Sequence, residues 1–506
     1  MTRVSRLAAR RRARWGKVAL VLALVVVSAG ATRISWRLLR AEEPDPPLRA
    51  APPLPVLPSP GSSAEAQPLR PEVLGLTTFR GNATRSYYGR GPVPKDPQIL
   101  WRYPVSGALC SKSTDQEGTR LWCGTGWTGQ PNVVETRNGV EVRFGAYDRA
   151  VHVLDGRTGE RLMEPFVTGD LIKGTITSDP DGFPLLYVGS RDGFLRILAL
   201  DRGATPVELW RLSADSAPRP LWNDDWDSSP LIVGDYLLVG GENSWFYVIR
   251  LHRDYDDAGH VIVTPRIRML VPGYDDELLA ALGDTEVSIE NSVALTENGV
   301  GYFANSGGLV QGWDISRVLR GGKRYERVFR FWAGEDIDAS VVIDEDGFLY
   351  VGAELERFTA RGREVGQIVK LDPGRPEDPV VWSIPVPAVG KTGGVWGTPG
   401  LYRNAVFVTT DTGRLLAINR ATGEIAWEIE LPRPLWSSPV IVNGILIVGD
   451  CAGVLHGYNV RDPLSGPPDE RWSVSLGGCI ESTPAVWNGM IYVGTRAGAV
   501  YGIGDA

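Results

Sequence analysis

Histidine, cysteine and methionine each occur only four times in 506 residues, and their placement removes several kinds of chemistry. No two cysteines are adjacent and no Cys-x-x-Cys-His occurs, so covalent c-type haem is excluded. His152, His252, His260 and His456 are scattered with no metal-ligand spacing between them, which makes them structural or surface residues. Gly-rich phosphate loops and nucleophile elbows are missing. Long Ala-, Glu-, Lys- and Leu-rich helical patterns are missing too, which shifts the expectation to an all-β chain. No catalytic residue is predicted.

Charge is unevenly distributed. Ten of the 53 basic residues and none of the 60 acidic ones lie in residues 1–40, leaving the remainder at a net charge of −17. Such a domain repels a phosphate backbone, so no nucleic-acid partner is expected. Residues 1–17 form a basic head that stays in the cytoplasm by the positive-inside bias, and the apolar run from Val18 to Ala31 sends the rest of the chain outward. As a helix this run is shorter than the roughly 30 Å hydrocarbon core, and Ala29-Gly30-Ala31 resembles a cleavage site. Lys17 and Arg33 can snorkel, and Trp15 and Trp36 can mark the two interfaces, so residues 18–40 are read as an uncleaved single-pass anchor, with a cleaved signal and a secreted domain as the alternative. No cysteine lies near the run to carry a lipid. Residues 41–75 follow as a linker, ten prolines falling between 44 and 71, and act as a semi-rigid tether for a domain over 76–506.

From about residue 97 one unit recurs. An apolar run ending in Val-Gly or a near variant precedes a polar turn, as in LLYVGSRDG from Leu185, LLVGGENS from Leu237, LIVGDCAG from Leu446 and IYVGTRAG from Ile491. A second apolar run follows, and a third closes on Trp210, Trp382, Trp427 or Trp472. Hairpin turns such as Asn443-Gly444 and Asn488-Gly489 join the first two strands. Four short strands per unit at a spacing of roughly 40–50 residues is the pattern of propeller blades. Units begin near Cys110, Leu171, Trp222, Val287, Asp336, Val395 and Leu435, while an eighth starts at Cys479 and stops after its third strand. ILWRYPV, residues 99–105, is expected to supply the missing outer strand and remove the open edge. The predicted fold is therefore an all-β, eight-bladed β-propeller of four-stranded antiparallel blades, closed by an N-terminal strand and preceded by one hydrophobic helix and the Pro-rich linker.

LLAINRATGEIAW, residues 415–427, resembles the tryptophan-docking repeat Ala-x-Asp-x-x-Thr-Gly-x-x-x-Trp of pyrroloquinoline-quinone propellers, with Asn419 in the Asp place; HVLDGRTGERL, 152–162, matches it without the Trp. The resemblance covers roughly 97–506 and implies that each Trp stacks on the Thr-Gly turn of the neighbouring blade. TTFRGNATRSYYGRGPVP, WCGTGWTGQPN and WNDDWDSSP look like a membrane-tethered subgroup of these propellers, from which no activity carries over. The repeat occurs in quinone-dependent alcohol and sugar dehydrogenases and in non-enzymatic scaffolds typified by the lipoprotein propeller of the outer-membrane β-barrel assembly machine, and fold does not choose between them. Alcohol-oxidising members clamp the quinone under a ring made by two adjacent cysteines, which Cys110, Cys123, Cys451 and Cys479 do not provide.

An even cysteine count in an exported chain suggests disulfides. Cys451, in a turn of the seventh unit, and Cys479, just before the eighth, lie on one propeller face as neighbours, and Cys110 and Cys123 flank one hairpin. Cys451–Cys479 and Cys110–Cys123 are the expected pairs, with buried free thiols as the alternative.

The best candidate for ligand binding is the axial face where each first strand begins. WNDDWDSSP places Trp222, Asn223, Asp224, Asp225, Trp226 and Asp227 there, with Glu290 and Asn291, Asp336 and Asp338, and Trp396 at comparable starts. Their oxygens could hold Ca²⁺, and the indoles could stack on a planar or sugar ligand. The plainer expectation is that the acids cap turns and the indoles fill the channel. Asp254 to Gly259 loosely resembles a calcium loop but lacks the later Glu, and reads as a solvated turn. The expected function is a membrane-tethered, extracytoplasmic binding or scaffolding module for an envelope protein or wall polymer, without cofactor. The alternative is a quinoprotein oxidoreductase using pyrroloquinoline quinone and calcium, and a lectin-like role rests only on exposed Trp.

Overall fold

The computed structural model describes residues 73–506 apart from 116–117, 127–128 and 391–392. The expected anchor and most of the linker lie outside the described residues. No helix among the described residues is long and apolar enough to cross a membrane.

Eight antiparallel sheets are arranged as blades. The first is built from Asn132–Thr136, Gly139–Gly145, Ala150–Asp155 and Phe166–Val167, and the second from Thr177–Ser178, Leu185–Ser190, Phe194–Ala199 and Val207–Ser213. The remaining inner strands are Leu231–Val233, Ala294–Leu295, Val342–Ile343, Gly400–Tyr402, Val440–Val442 and Ala485–Trp487. Inner strands such as Val440–Val442 are buried along their whole length, whereas outer strands such as Ile425–Glu430 bury mainly one face, which sets the radial order of each blade. Asn443 and Gly444 have φ of 51° and 74°, and Asn488 and Gly489 have 47° and 88°, the left-handed pair that a tight hairpin demands.

The ring closes as expected. Gln98–Tyr103 pairs antiparallel with Ala499–Gly504 and becomes the outer strand of the eighth blade. Tryptophan docking then joins the blades. Trp101 donates from Nε1 to the Gly156 carbonyl of the first blade at 2.9 Å, Trp382 to that of Arg420 at 3.0 Å and Trp427 to that of Pro463 at 2.8 Å. The Thr-Gly turn must be glycine for this contact, because a Cβ at Gly423 would lie 2.7 Å from the Trp382 ring.

One boundary is corrected. The first blade does not begin near Cys110: Cys110–Asp115 and Gly118–Cys123 pair only with each other, as a separate hairpin, and the first inner strand is Asn132–Thr136. The described side chains of the hairpin are mostly exposed or half-exposed, so it has no continuous apolar face to stack in the ring. Its two ends are joined by the Cys110–Cys123 disulfide, and Cys451 is bonded to Cys479, the two expected pairs.

The central passage is filled by a segment that strand periodicity does not reveal, residues 75–90, which bonds to all eight blades in turn. Gly75–Leu76 pairs with Val133 and Val134 of the first blade. The Thr77 carbonyl accepts from Ser178 N of the second at 2.8 Å, and Thr78 Oγ1 donates to the Pro230 carbonyl beside the third at 3.0 Å. Ala83 and Thr84 carbonyls accept from Leu295 N and Ile343 N of the fourth and fifth at 2.8 and 3.1 Å. Arg80 donates to the carbonyls of Thr398, Pro399 and Pro439 beside the sixth and seventh at 3.0, 2.9 and 3.3 Å. Gly89–Arg90 finally runs parallel to Val486 and Trp487 of the eighth. Arg80 and Arg85 are both 0% exposed. Their guanidinium groups are held by carbonyl oxygens, Arg85 donating to Val293 and Phe79 at 2.9 and 2.8 Å. Burial and the neighbouring Arg80 lower the Arg85 pKa to about 9.

Candidate functional site

The loops leading into the inner strands meet around the axis and form a mouth above the segment 75–90. Lys173 precedes the second inner strand, Asp225 and Asp227 the third, Glu290 the fourth, Asp336 and Asp338 the fifth, Trp396 the sixth, Trp436 the seventh and Glu481 the eighth. Each side chain is placed by the same local event, a chain turning from an outer strand back to the axis, so the repeat itself brings these seven lead-in loops into one ring.

Asp225, Asp227 and Glu242 offer oxygens within 4.8 Å of one another, the hard donor set of a divalent cation. Lys173 reaches into the same group, paired with Asp227 and 3.6 Å from Glu242, while Arg191 binds Asp225 at 2.8 Å. Asn223 donates to Glu242 at 2.8 Å. On the next blades, Glu290 accepts from Ser288 Oγ at 2.8 Å, and the Asp338 and Glu354 carboxyl groups are hydrogen-bonded to each other. The Glu354 amide bonds the Asp336 carbonyl at 2.8 Å, and a bridge between Glu354 and Gly394 brings this group beside Trp396. Trp396 stacks on Trp436 with centroids 4.6 Å apart and 13° between planes.

Burial and mutual repulsion act on these acids in one direction. Desolvation, then Asp338, lifts Glu290 from 4.5 to about 8, and desolvation with Asp227 lifts Asp225 from 3.8 to about 7 against the pull of Lys173. Glu242, Asp336, Asp338 and Glu354 are raised well above the carboxylate range, first by desolvation and then by neighbouring carboxylates, Asp225 for Glu242, Glu290 for Asp336, Asp336 for Asp338 and Asp338 for Glu354. Lys173 is raised, because the surrounding carboxylates outweigh its own desolvation. The folded chain holds protons on these groups that the unfolded chain has already released, so their contribution is complete below about pH 4.5 and is lost as pH rises toward 8. The thermal midpoint at low salt is expected to fall between pH 5 and 8, at most about 1.4 kcal/mol per pH unit per group, and Glu290→Gln is expected to flatten the fall. A midpoint that climbs across that interval would contradict this electrostatic picture.

Of the residues singled out from sequence, Asp225, Asp227, Glu290 and Asp338 meet in this mouth with Trp396 beside them, and Asn223 supports Glu242. Trp226 is fully buried in the core against Tyr247, 5.2 Å between centroids. Asn291 bridges the Ala304 amide and the Ala304 and Ile337 carbonyls at 2.9–3.0 Å, tying two blades together. Trp222, at φ 66°, and Asp224 are exposed at the rim. Asp256 accepts from the Ala258 and His260 amides at 3.0 and 2.9 Å, a turn of the expected solvated kind. Lys173, Glu242 and Glu354 were not singled out; each is a lone residue in a turn, without a local pattern.

A family profile described as outer membrane protein assembly factor BamB matches residues 364–463. The quinohemoprotein alcohol dehydrogenase of Comamonas testosteroni superposes with a TM-score of 0.54 at 14% identity, covering 85% of this chain and 81% of that one. The computationally designed Ika8 protein gives 0.50 at 14%, covering 75% and 96%, and BamB of Moraxella catarrhalis gives 0.49 at 18%, covering 72% and 91%. At these identities the likeness is one of fold. No curated protein matches the chain. With its docked tryptophans and Thr-Gly turns the chain is an eight-bladed β-propeller, and within it residues 364–463 are similar to the repeat of the matched family.

Proposed function

We propose that this propeller is a non-catalytic binding module of the cell envelope, held at the membrane by its N-terminal segment. The observation that carries the reading is the composition of the mouth: Asp225, Asp227, Glu242, Glu290, Asp336, Asp338 and Glu354 face Lys173 and Arg191. Pyrroloquinoline quinone brings three carboxylates of its own, so this donor set does not fit it; the oxygens of Asp225, Asp227 and Glu242 suit calcium, but Lys173 competes for the same place. The two disulfides favour an oxidising compartment.

Mixing the purified protein with the quinone and Ca²⁺ is expected to give no stoichiometric change in quinone absorbance and no dye reduction with alcohols or sugars. One-to-one binding accompanied by dye reduction would replace this reading with the oxidoreductase one.

A further inference from the structure

We propose that the rim between the third and fourth blades, at the end of the blades away from the mouth, is a docking surface for an anionic lipid bilayer. The proposal rests on the reading of a membrane-held module and adds the surface that meets the phospholipid headgroups.

Outside residues 1–40 the chain carries a net charge of −17, yet residues 315–325, ISRVLRGGKRY, hold four cations and no acid. They join the third strand of the fourth blade, Leu309–Asp314, to its outer strand, Glu326–Trp332. First strands lead away from the mouth and their neighbours alternate in direction, so this loop lies at the far end of the blade. A short helix, Ser316–Leu319, seats Val318 and Leu319 in the core shared with Leu231, Val233 and Tyr236 of the third blade. With that side of the turn fixed inward, Arg317 and Arg320 stand exposed, followed by Lys323 and Arg324. Ser316 Oγ braces Arg320 at 3.2 Å.

The third blade extends the positive surface. Tyr236, Arg250 and Arg266 stand opposite one another across three adjacent strands and so share one side of the sheet, the side that packs on the helix. The Tyr236 hydroxyl is hydrogen-bonded to the Gly321 backbone and lies in the field of Arg250 and Arg268, which ties this row to the loop. Asp235 offsets Arg250 at 3.3 Å, but among the described residues no carboxylate pairs with Arg266, Arg317 or Arg324. Unmatched arginines gathered on an otherwise acidic domain fit an anionic partner.

The apolar side chains between them select a bilayer over a hydrated polyanion. Tyr325 and Val328 are 41% and 42% exposed, and the Tyr325 ring leans on Trp313 with 6.1 Å between centroids. An aromatic ring among arginines suits the boundary between headgroups and acyl chains: the guanidinium groups reach phosphate while the ring enters the apolar layer. A soluble polyanion makes no use of such residues.

The full-length protein is reconstituted into nanodiscs of phosphatidylcholine, alone or mixed in roughly equal parts with phosphatidylglycerol, and amide hydrogen exchange is read by mass spectrometry. Peptides covering 316–328 and 266–268 are expected to exchange about tenfold slower in the anionic discs, and about 0.5 M salt is expected to remove the difference. This local readout keeps the basic residues 1–17 from imitating the result. The Arg317→Gln/Arg320→Gln/Arg324→Gln variant is expected to lose the protection while its inner-strand amides stay as slow as in the parent. Should that variant misfold, the salt dependence of the parent decides. Equal exchange in the two discs, protection that persists in the triple variant or in high salt, or protection by soluble polyphosphate in neutral discs with none from phosphatidylglycerol would overturn the proposal, the last assigning the surface to a soluble polymer. Those failures leave the binding-module reading standing, since that falls only with quinone binding and turnover.

Discussion

Replacing Arg80 with methionine is expected to lower the unfolding free energy by about 3–5 kcal/mol, read as a shifted urea midpoint. The side chain is fully buried and packs over the Tyr88 ring at 4.4 Å. Its guanidinium donates to the Arg85 carbonyl at 3.0 Å and to three carbonyls of the lead-in loops of the sixth and seventh blades. Methionine fills much of the volume but strands four buried carbonyl oxygens, and the cost of unsatisfied acceptors exceeds the modest net worth of each bond. Burial lowers the Arg80 pKa, yet a guanidinium stays charged, which is why arginine is suited to this position. Arg80→Lys keeps the charge but cannot present the fork, so it is expected to lose about 2 kcal/mol or more. Exposed Arg157, changed to methionine, should stay within about 0.5 kcal/mol of the parent. A loss below about 1 kcal/mol in Arg80→Met would mean that the segment 75–90 does not hold the blades together.

The blades were legible because their information is local. Asn-Gly turns, Val-Gly strand ends and Trp at the close of each unit specify hairpins and docking within a few residues, and ILWRYPV carries the same signature as the outer strands it completes. Both cystines followed once the turns were placed on the ring. The first blade was misplaced because CSKSTD and GTRLWC form a strand-rich hairpin whose partner is only itself. Residues 75–90 were not assigned a role because nothing in TTFRGNATRSYYG has a period: Arg80 meets Thr398 across 318 residues, and Arg80 and Arg85 adopt φ of 52° and 61° that no turn motif signals. In the mouth, WNDDWDSSP pointed to the right loop, yet Trp226 turned inward, since an indole among acids can serve the core as readily as a ligand. Lys173 and Glu354 matter only through the three-dimensional ring that brings them together.

The second large effect concerns the axial segment as a whole. Leu76 and Phe79 are 0% and 1% exposed within it, and burying each such side chain is worth roughly 1.5–3 kcal/mol. Removing the segment exposes these contacts and the facing walls of the inner strands, a loss comparable to the roughly 5–15 kcal/mol of an entire domain. The direct measurement compares urea unfolding of three chains: the full length, one beginning at Val73, and one beginning at Asp96, which retains the closing strand Gln98–Tyr103. A propeller built around its own N-terminal segment predicts that the first two unfold at the same midpoint, while the third fails to fold or loses more than about 5 kcal/mol. Equal midpoints for all three would contradict it.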